Sequence, residues 1–122
     1  MERQLNGKGE MDYDYANDVI FFKLKNREYS RSIEFNNITI DVDKEDFITG
    51  IQIFEASKFL RINKIALRSV PEWKFQATVK DKTIEIRLAF KVVYRNGNIM
   101  MNPIIMKDSD EKIPNSKIMV TV

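Results

Sequence analysis

The fold is decided by residues 73–106, WKFQATVKDKTIEIRLAFKVVYRNGNIMMNPIIM. Apolar and polar residues alternate through this stretch, which is the pattern of half-buried β-strands. The sequence predicts a two-residue loop at Asp81-Lys82 between the first two strands. That loop places four apolar pairs on one face: Trp73 opposite Phe90, Phe75 opposite Leu88, Ala77 opposite Ile86, and Val79 opposite Ile84. Register and hydrophobic pattern therefore agree on one hairpin.

A second hairpin is predicted at Asn96-Gly97, because a type I′ turn needs positive φ at both central residues. The register that follows pairs Tyr94 with Ile99, Val92 with Met101, and Phe90 with Pro103. Proline has no N–H to give to a further neighbour, so the strand that holds Pro103 is predicted to be an edge strand or to carry a bulge there. Residues 117–122 (KIMVTV) predict a last strand after a loop.

The first half of the chain shows the same alternation. Residues 38–43 (ITIDVD) and 47–54 (FITGIQIF) predict two strands joined by a hairpin turn. Together with the apolar run at 19–24 and a shorter one at 32–35, they predict a four-strand meander. The middle segment, 55–72, changes to helical spacing, and predicts either one helix or two short ones with Asn63 as an internal cap.

These patterns predict an α+β fold, mainly antiparallel β-sheet in hairpin-rich meanders, with one or two short helices in the middle of the chain. We expect a single domain over residues 1–122. It would comprise a flexible lead-in at 1–11, a meander with the helix at 12–70, and a hairpin half at 71–122. The predicted core contains Trp73, Phe75, Leu88, Phe90, Ile51 and Ile53.

Composition excludes several kinds of chemistry. The chain has no cysteine and no histidine, so thiolate sites, disulfides and the commonest general base are absent. A net charge of +2 favours no class of partner. No apolar stretch reaches the roughly 18 residues of a membrane span, and the start MERQLNGKGE lacks the apolar core of a signal peptide. We expect a soluble cytoplasmic protein.

Acidic residues occur in two groups. Asp12, Asp14 and Asp18 precede an apolar strand, where they either bind a hard metal ion or shape a turn, and we favour the turn. The stretch DVDKED, residues 41–46, imitates the start of a calcium loop, but Asp46 stands where that loop needs glycine. We expect a solvated hairpin turn there, and no metal or cofactor.

No serine or threonine stands in a recognisable catalytic pattern. Ser57 lies beside Lys58, but EAS is also an ordinary helix start. We therefore expect a protein that is not an enzyme and has no catalytic residues.

The order of the pieces in residues 13–60 resembles a known family. Tyr13-Asp14, three further residues, Asp18 and an apolar strand are followed by ITIDVDKEDFITGIQIFEAS. This arrangement resembles a widespread family of very small prokaryotic and archaeal proteins that is catalogued as a domain of unknown function. The resemblance implies an antitoxin-like or regulatory partner of another small protein. The chain departs from the family where Asp46-Phe47 replace the usual glycine turn, and from Trp73 onward.

Four basic residues in the middle segment suggest a contact surface: Lys58, Arg61, Lys64 and Arg68. In one continuous helix their spacing places all four on one side, opposite the apolar positions. They are either a solvated helix face or a surface for phosphates or an acidic partner. We predict a non-catalytic protein-interaction module, antitoxin-like or self-associating, that has a protein partner or forms a homo-oligomer. The alternative is a nucleic-acid-binding protein that uses these four residues, and a metal-dependent hydrolase is a third possibility.

Overall fold

The computed structural model describes residues 3–122 and is mostly β-sheet, with two short helices. The strands are β1 Arg3–Asp14, β2 Val19–Leu24, β3 Tyr29–Glu34, β4 Ile38–Asp43, β5 Ile48–Phe54, β6 Trp73–Lys80, β7 Thr83–Tyr94, β8 Gly97–Met101, β9 Ile104–Asp108 and β10 Ser116–Thr121. The helices are α1 Ala56–Leu60 and α2 Lys64–Arg68, which follow β5 and precede β6. The strands form a ten-stranded sheet in the order β3-β4-β5-β2-β1-β10-β6-β7-β8, with β9 also paired to β7.

The hairpin of β6 and β7 has the predicted register. Trp73 lies opposite Phe90, and the pairing continues without a shift to Lys80 opposite Thr83. The two loop residues, Asp81 and Lys82, have positive φ values of 50° and 71°. The left-handed conformation at both positions is what a type I′ loop requires, and neither residue is glycine.

The predicted register of the next hairpin is wrong by two residues. Tyr94 pairs with Gly97 rather than Ile99, so the loop is Arg95-Asn96. Gly97 has φ 137° and belongs to β8. A shift of two residues leaves every side chain on the same face, so the hydrophobic alternation does not distinguish the two registers.

The edge predicted at Pro103 is confirmed. β8 and β9 both pair with β7, and neither has a second neighbour in the sheet of the described chain. Pro103 lies between them and not opposite Phe90, and its carbonyl accepts a hydrogen bond of 3.1 Å from the backbone N–H of Leu88. The registers of β8 and β9 both place Pro103 opposite Leu88, so the N–H that proline lacks is one that would face β7, rather than a further neighbour as predicted. Its absence interrupts the edge strand between β8 and β9.

The N-terminal segment is a strand rather than the predicted flexible lead-in. Residues 3–8 pair in parallel with β10, and residues 9–14 pair in antiparallel with β2. Residues 1 and 2 lie outside the described part of the chain. Glycine occupies positions 7 and 9 of the inward-facing row, and this hides the alternation that Leu5, Met11 and Tyr13 would otherwise reveal. The sheet is thus largely antiparallel, with one parallel pair.

The predicted four-strand meander is also corrected. β3, β4 and β5 are consecutive neighbours, but β2 pairs with β5 and β1 instead of β3. Ile20 lies opposite Ile53, and Phe22 lies opposite Ile51. β2 is therefore a central strand, which agrees with its dense apolar sequence VIFFKL.

Aromatic side chains join the two halves of the chain in one core. The ring of Phe22 from β2 stacks on Phe75 of β6 at 5.9 Å and meets Trp73 edge-to-face at 5.4 Å. All six predicted core residues are buried: Trp73, Phe75, Leu88, Phe90, Ile51 and Ile53. Each of these side chains removes a large apolar area from water, which stabilises the packing of the two halves.

The helical segment takes the second of its two predicted forms. Asn63 is the N-cap of α2, and its side-chain oxygen accepts a hydrogen bond of 2.8 Å from the backbone N–H of Ala66. Arg61 is the C-cap of α1 and has the left-handed conformation, with φ 58°. Both helices of residues 3–122 have five residues. Neither helix is long and apolar enough to cross a membrane.

Candidate functional site

Three polar residues meet where β1, β2 and α1 come together: Tyr13 and Asp18, which are close in sequence, and the distant Ser57. The phenol of Tyr13 donates a hydrogen bond of 2.6 Å to Asp18 Oδ1. The hydroxyl of Ser57 donates one of 2.6 Å to Asp18 Oδ2, and the backbone N–H of Ser57 donates to Oδ1 at 3.0 Å. All three residues belong to the segment that carries the family resemblance, so this part of the motif has a structural role.

The backbone at Asp18 completes the junction. Asp18 has φ 57°, and its carbonyl accepts a hydrogen bond of 2.9 Å from the backbone N–H of Ala56. Burial acts to raise the pKa of Asp18, but the hydrogen bonds from Ser57 and Tyr13 outweigh it, so the pKa lies below its ordinary value. The carboxylate is therefore charged at neutral pH and fixes the start of α1 against β2.

The turn predicted from the acidic residues is confirmed at Asp14. Its carboxylate accepts hydrogen bonds from the backbone N–H of Asn17 at 3.1 Å and from the Asn17 side chain at 2.8 Å. This is an Asx-type turn, and it directs the chain into β2. Asp12 is exposed on β1 and lies opposite Phe21.

The DVDKED segment forms the predicted hairpin between β4 and β5, with Asp41 and Asp43 in β4, but Asp43 is buried rather than solvated. The buried Asp43 accepts hydrogen bonds from the backbone N–H groups of Glu45 and Phe47, each at 2.9 Å. The Nε of Arg27 lies 2.7 Å from its other oxygen. These bonds satisfy the Asp43 carboxylate with groups of the protein itself.

The four basic residues do not share a continuous helix, because the chain turns at Arg61 between α1 and α2. The turn nevertheless brings three of them to one open depression of about 550 Å³, which Tyr15 and Ser57 also line. These three are Lys58, Arg61 and Lys64. Arg68 reaches the same surface from α2, with its guanidinium carbon 4.7 Å from the centre of the Tyr15 ring.

Tyr15 is a surface residue that the sequence analysis does not single out. Its ring is 39% exposed and lies between the motif residues and the helices. The ammonium of Lys64 is 4.8 Å from the ring centre, and Tyr13 meets the ring edge-to-face at 6.4 Å. The only sequence signal for this position is an aromatic residue inside the YDYAND turn. We name the surface formed by Tyr15, Lys58, Arg61, Lys64 and Arg68 the basic surface.

A second candidate surface is the open edge of the sheet at β8 and β9. Several large apolar side chains are at least half exposed there: Ile99, Met100, Ile104 and Met106. The sequence of β8 is GNIMM, which carries no charge. Uncharged edge strands offer unpaired N–H and C=O groups to another chain, so this edge is suited to strand pairing.

Comparisons with known proteins agree with the resemblance in the first half. The model of a family described as a protein of unknown function (DUF2283) matches residues 10–57. A Methanosarcina mazei protein named putative hypoxanthine phosphoribosyltransferase is 33% identical over 85 residues, which cover 70% of this chain and 69% of the relative. An uncharacterized protein of Methanocaldococcus jannaschii is 22% identical over 99 residues, covering 80% of this chain and 85% of that one. No solved structure gives a significant match.

The family match includes every residue of the Tyr13, Asp18 and Ser57 junction, and the M. mazei alignment is longer than the matched segment. The chain belongs to the family of proteins of unknown function designated DUF2283.

Proposed function

We propose that the protein is a non-catalytic interaction module that associates with a second copy of itself through the open edge of β8. The observation that carries the proposal is the uncharged, exposed sequence of this edge strand, Gly97–Met101. Natural edge strands usually carry charges, proline or bulges that prevent pairing, and β8 has none of these within its length. A cytoplasmic location is part of the proposal.

The hydrogen-bonding pattern of the hairpin indicates which groups are available. Tyr94 and Gly97 flank a two-residue loop, and such flanking residues exchange both of their hydrogen bonds. Gly97, Ile99 and Met101 therefore direct their N–H and C=O groups toward β7. Asn98 and Met100 direct theirs away from the sheet, where a second strand can bind them.

The opposite edge of the sheet gives an internal comparison. β3 carries Arg31 and Glu34, and its pairing with β4 shifts register between Tyr29 and Arg31. Charges and an irregularity of this kind protect an edge strand. The difference between the two edges favours association through β8.

A symmetric antiparallel pair of β8 strands fits the sequence of that strand. With Ile99 opposite Ile99 of the second copy, Asn98 lies opposite Met100, and Gly97 lies opposite Met101. The outward-directed residues then form the hydrogen-bonded pairs, and the small Gly97 leaves room for the Met101 side chain. No like charges face each other in this register.

The test is size-exclusion chromatography with light scattering on the parent protein and two variants. Met100→Lys places a charge on β8, and Ser30→Lys places the same charge at an exposed position of β3. We expect a dimer for the parent and Ser30→Lys, and a monomer for Met100→Lys. A parent protein that stays monomeric at high concentration would overturn self-association, as would equal effects of the two variants.

The name of the M. mazei relative describes a different activity, the transfer of a phosphoribosyl group to hypoxanthine. We propose that this chain is not such an enzyme. In support, the hydroxyls of Tyr13 and Ser57 both donate to the Asp18 carboxylate, so the polar groups of this junction are engaged with one another. Formation of a hypoxanthine nucleotide by the purified protein, above the rate of a protein-free control, would contradict this part of the proposal.

A further inference from the structure

We propose that the basic surface is a binding site for single-stranded nucleic acid, with phosphates on the four basic side chains and a base on Tyr15. This site is distant from β8 in sequence and does not depend on self-association. The inference rests on three features of the surface: unpaired positive charge, an exposed aromatic ring, and short helices.

The positive charge is available to a ligand. Lys58, Arg61, Lys64 and Arg68 form no salt bridge within residues 3–122, whereas Arg27 and Arg31 each bind two carboxylates. The nearest acidic groups of the junction, Asp14 and Asp18, are engaged by hydrogen bonds from Asn17, Tyr13 and Ser57. They attract Lys64 but leave the other cations without a carboxylate partner. A surface of this kind attracts phosphates.

The aromatic ring distinguishes this surface from a patch of lysines. Tyr15 lines the depression, and contacts with Tyr13, Lys64 and Arg68 hold the ring in place while part of it stays exposed. Proteins that bind single strands combine a basic groove with aromatic side chains on which bases stack. An acidic peptide would use the cations but has no base to stack on Tyr15, so nucleic acid is the better match.

The helices favour a single strand over a duplex. α1 and α2 each have five residues, which is a length of about 7.5 Å. Recognition helices lie along the major groove and present several residues to it. Helices this short and joined by a turn instead surround a small depression, which suits a few nucleotides of an extended strand.

The experiment measures the fluorescence anisotropy of a labelled oligothymidylate of about 12 nucleotides as the full-length protein is added. Titrations are repeated at several potassium chloride concentrations. Four phosphate contacts predict a slope of about −3 in log affinity against log salt, since each contact to a single strand contributes about −0.7. Lys58→Glu with Arg61→Glu should lower the affinity at least about tenfold and make the slope shallower by about half.

The matched control reverses two exposed lysines elsewhere, Lys80→Glu with Lys112→Glu, and changes the net charge equally. Lys80 lies at the end of β6 away from the helices. Tyr15→Leu removes stacking but keeps all four cations, so it should weaken binding while the slope stays near that of the parent. Circular dichroism confirms that each variant is folded.

Three results would overturn the proposal. One is the absence of binding at low salt, and another is an equal loss of affinity in the Lys80/Lys112 control. The third is competition by polyglutamate of similar length as effectively as by unlabelled oligothymidylate, because that result would assign the surface to an acidic protein partner.

Discussion

The carboxylate of Asp18 accepts hydrogen bonds from both the hydroxyl and the backbone N–H of Ser57, a residue 39 positions later in the chain. This contact attaches the first turn of α1 to the loop before β2. Ser57 also lines the depression of the basic surface. The family motif therefore stabilises the segment on which the proposed binding residues stand.

Loss of this contact should destabilise the fold. Asp18→Asn and Ser57→Ala each remove hydrogen bonds to a partly buried charged group, which costs about 1–3 kcal/mol in the free energy of unfolding. Urea denaturation measures the change. Asp12→Asn alters an exposed carboxylate on β1 and should change the stability by less than about 0.5 kcal/mol. Equal stability of Asp18→Asn and Asp12→Asn would contradict the structural role of Asp18.

Tyr13 should make stability depend on pH at the alkaline end. Burial, and then the hydrogen bond to Asp18, raise the pKa of Tyr13 above its ordinary value of 10.0. The folded state thus holds the phenol proton more tightly than the unfolded chain, so the stabilisation is complete below about pH 10 and is lost as the pH rises further. Asp18 has the opposite sign, because its lowered pKa gives stability that is lost as the pH falls below its ordinary value.

The variant Tyr13→Phe tests the alkaline part. It should be less stable than the parent at neutral pH by about 1 kcal/mol, and should lose less stability between about pH 9 and 11. Urea denaturation at a series of pH values gives both quantities. Tyr94→Phe, at a 41% exposed position, is the control for removal of a phenol. If the free energy of unfolding of the parent and of Tyr13→Phe changes with pH in parallel, the Tyr13 phenol does not contribute to the pH dependence of stability.

The change of partner along β1, from β10 to β2, depends on glycine at position 9. A Cβ atom there would clash with Val120 Cγ1 and would lie 2.9 Å from the carbonyl oxygen of Lys23. Gly9→Ala should therefore cost about 1–3 kcal/mol, because backbone atoms must move. Gly7→Ala meets only the end of the flexible Leu24 side chain, at 2.7 Å, and should cost less. Equal losses in denaturation experiments would contradict this difference.

The sequence predicts those parts of the fold that depend on alternation and short connections. Asp81-Lys82 is correctly placed because only that loop brings the apolar rows of β6 and β7 together at their full length. Alternation repeats every two residues. It therefore cannot distinguish the predicted register, with a loop at Asn96-Gly97, from the observed register, which is shifted by two residues. The partners of β1 and β2 are long-range choices that no local pattern contains.

The candidate surfaces were predictable to different degrees. The four basic residues are visible in the sequence. Of the two predicted forms of this segment, the pair of short helices with a turn at Arg61 is the one that brings three of them to one depression. The position of Tyr15 beside them depends on how the β1–β2 loop meets α2, which is a tertiary contact. Pro103 marks the open edge in the sequence because proline, which cannot donate a ladder hydrogen bond, is tolerated in edge strands.

The loop between β6 and β7 offers a stabilising substitution. Lys82 has φ 71°, a left-handed conformation that costs a side-chain-bearing residue about 1 kcal/mol relative to glycine. Its side chain is exposed, and its carbonyl accepts a hydrogen bond from the N–H of Ser109, which glycine retains. Lys82→Gly should therefore raise the free energy of unfolding by about 0.5–1 kcal/mol, as the midpoint of urea denaturation will show. Lys80→Gly, two residues earlier and within β6, should lower it by a similar amount, because glycine weakens a strand. A loss of stability in Lys82→Gly would mean that the loop does not adopt the type I′ conformation.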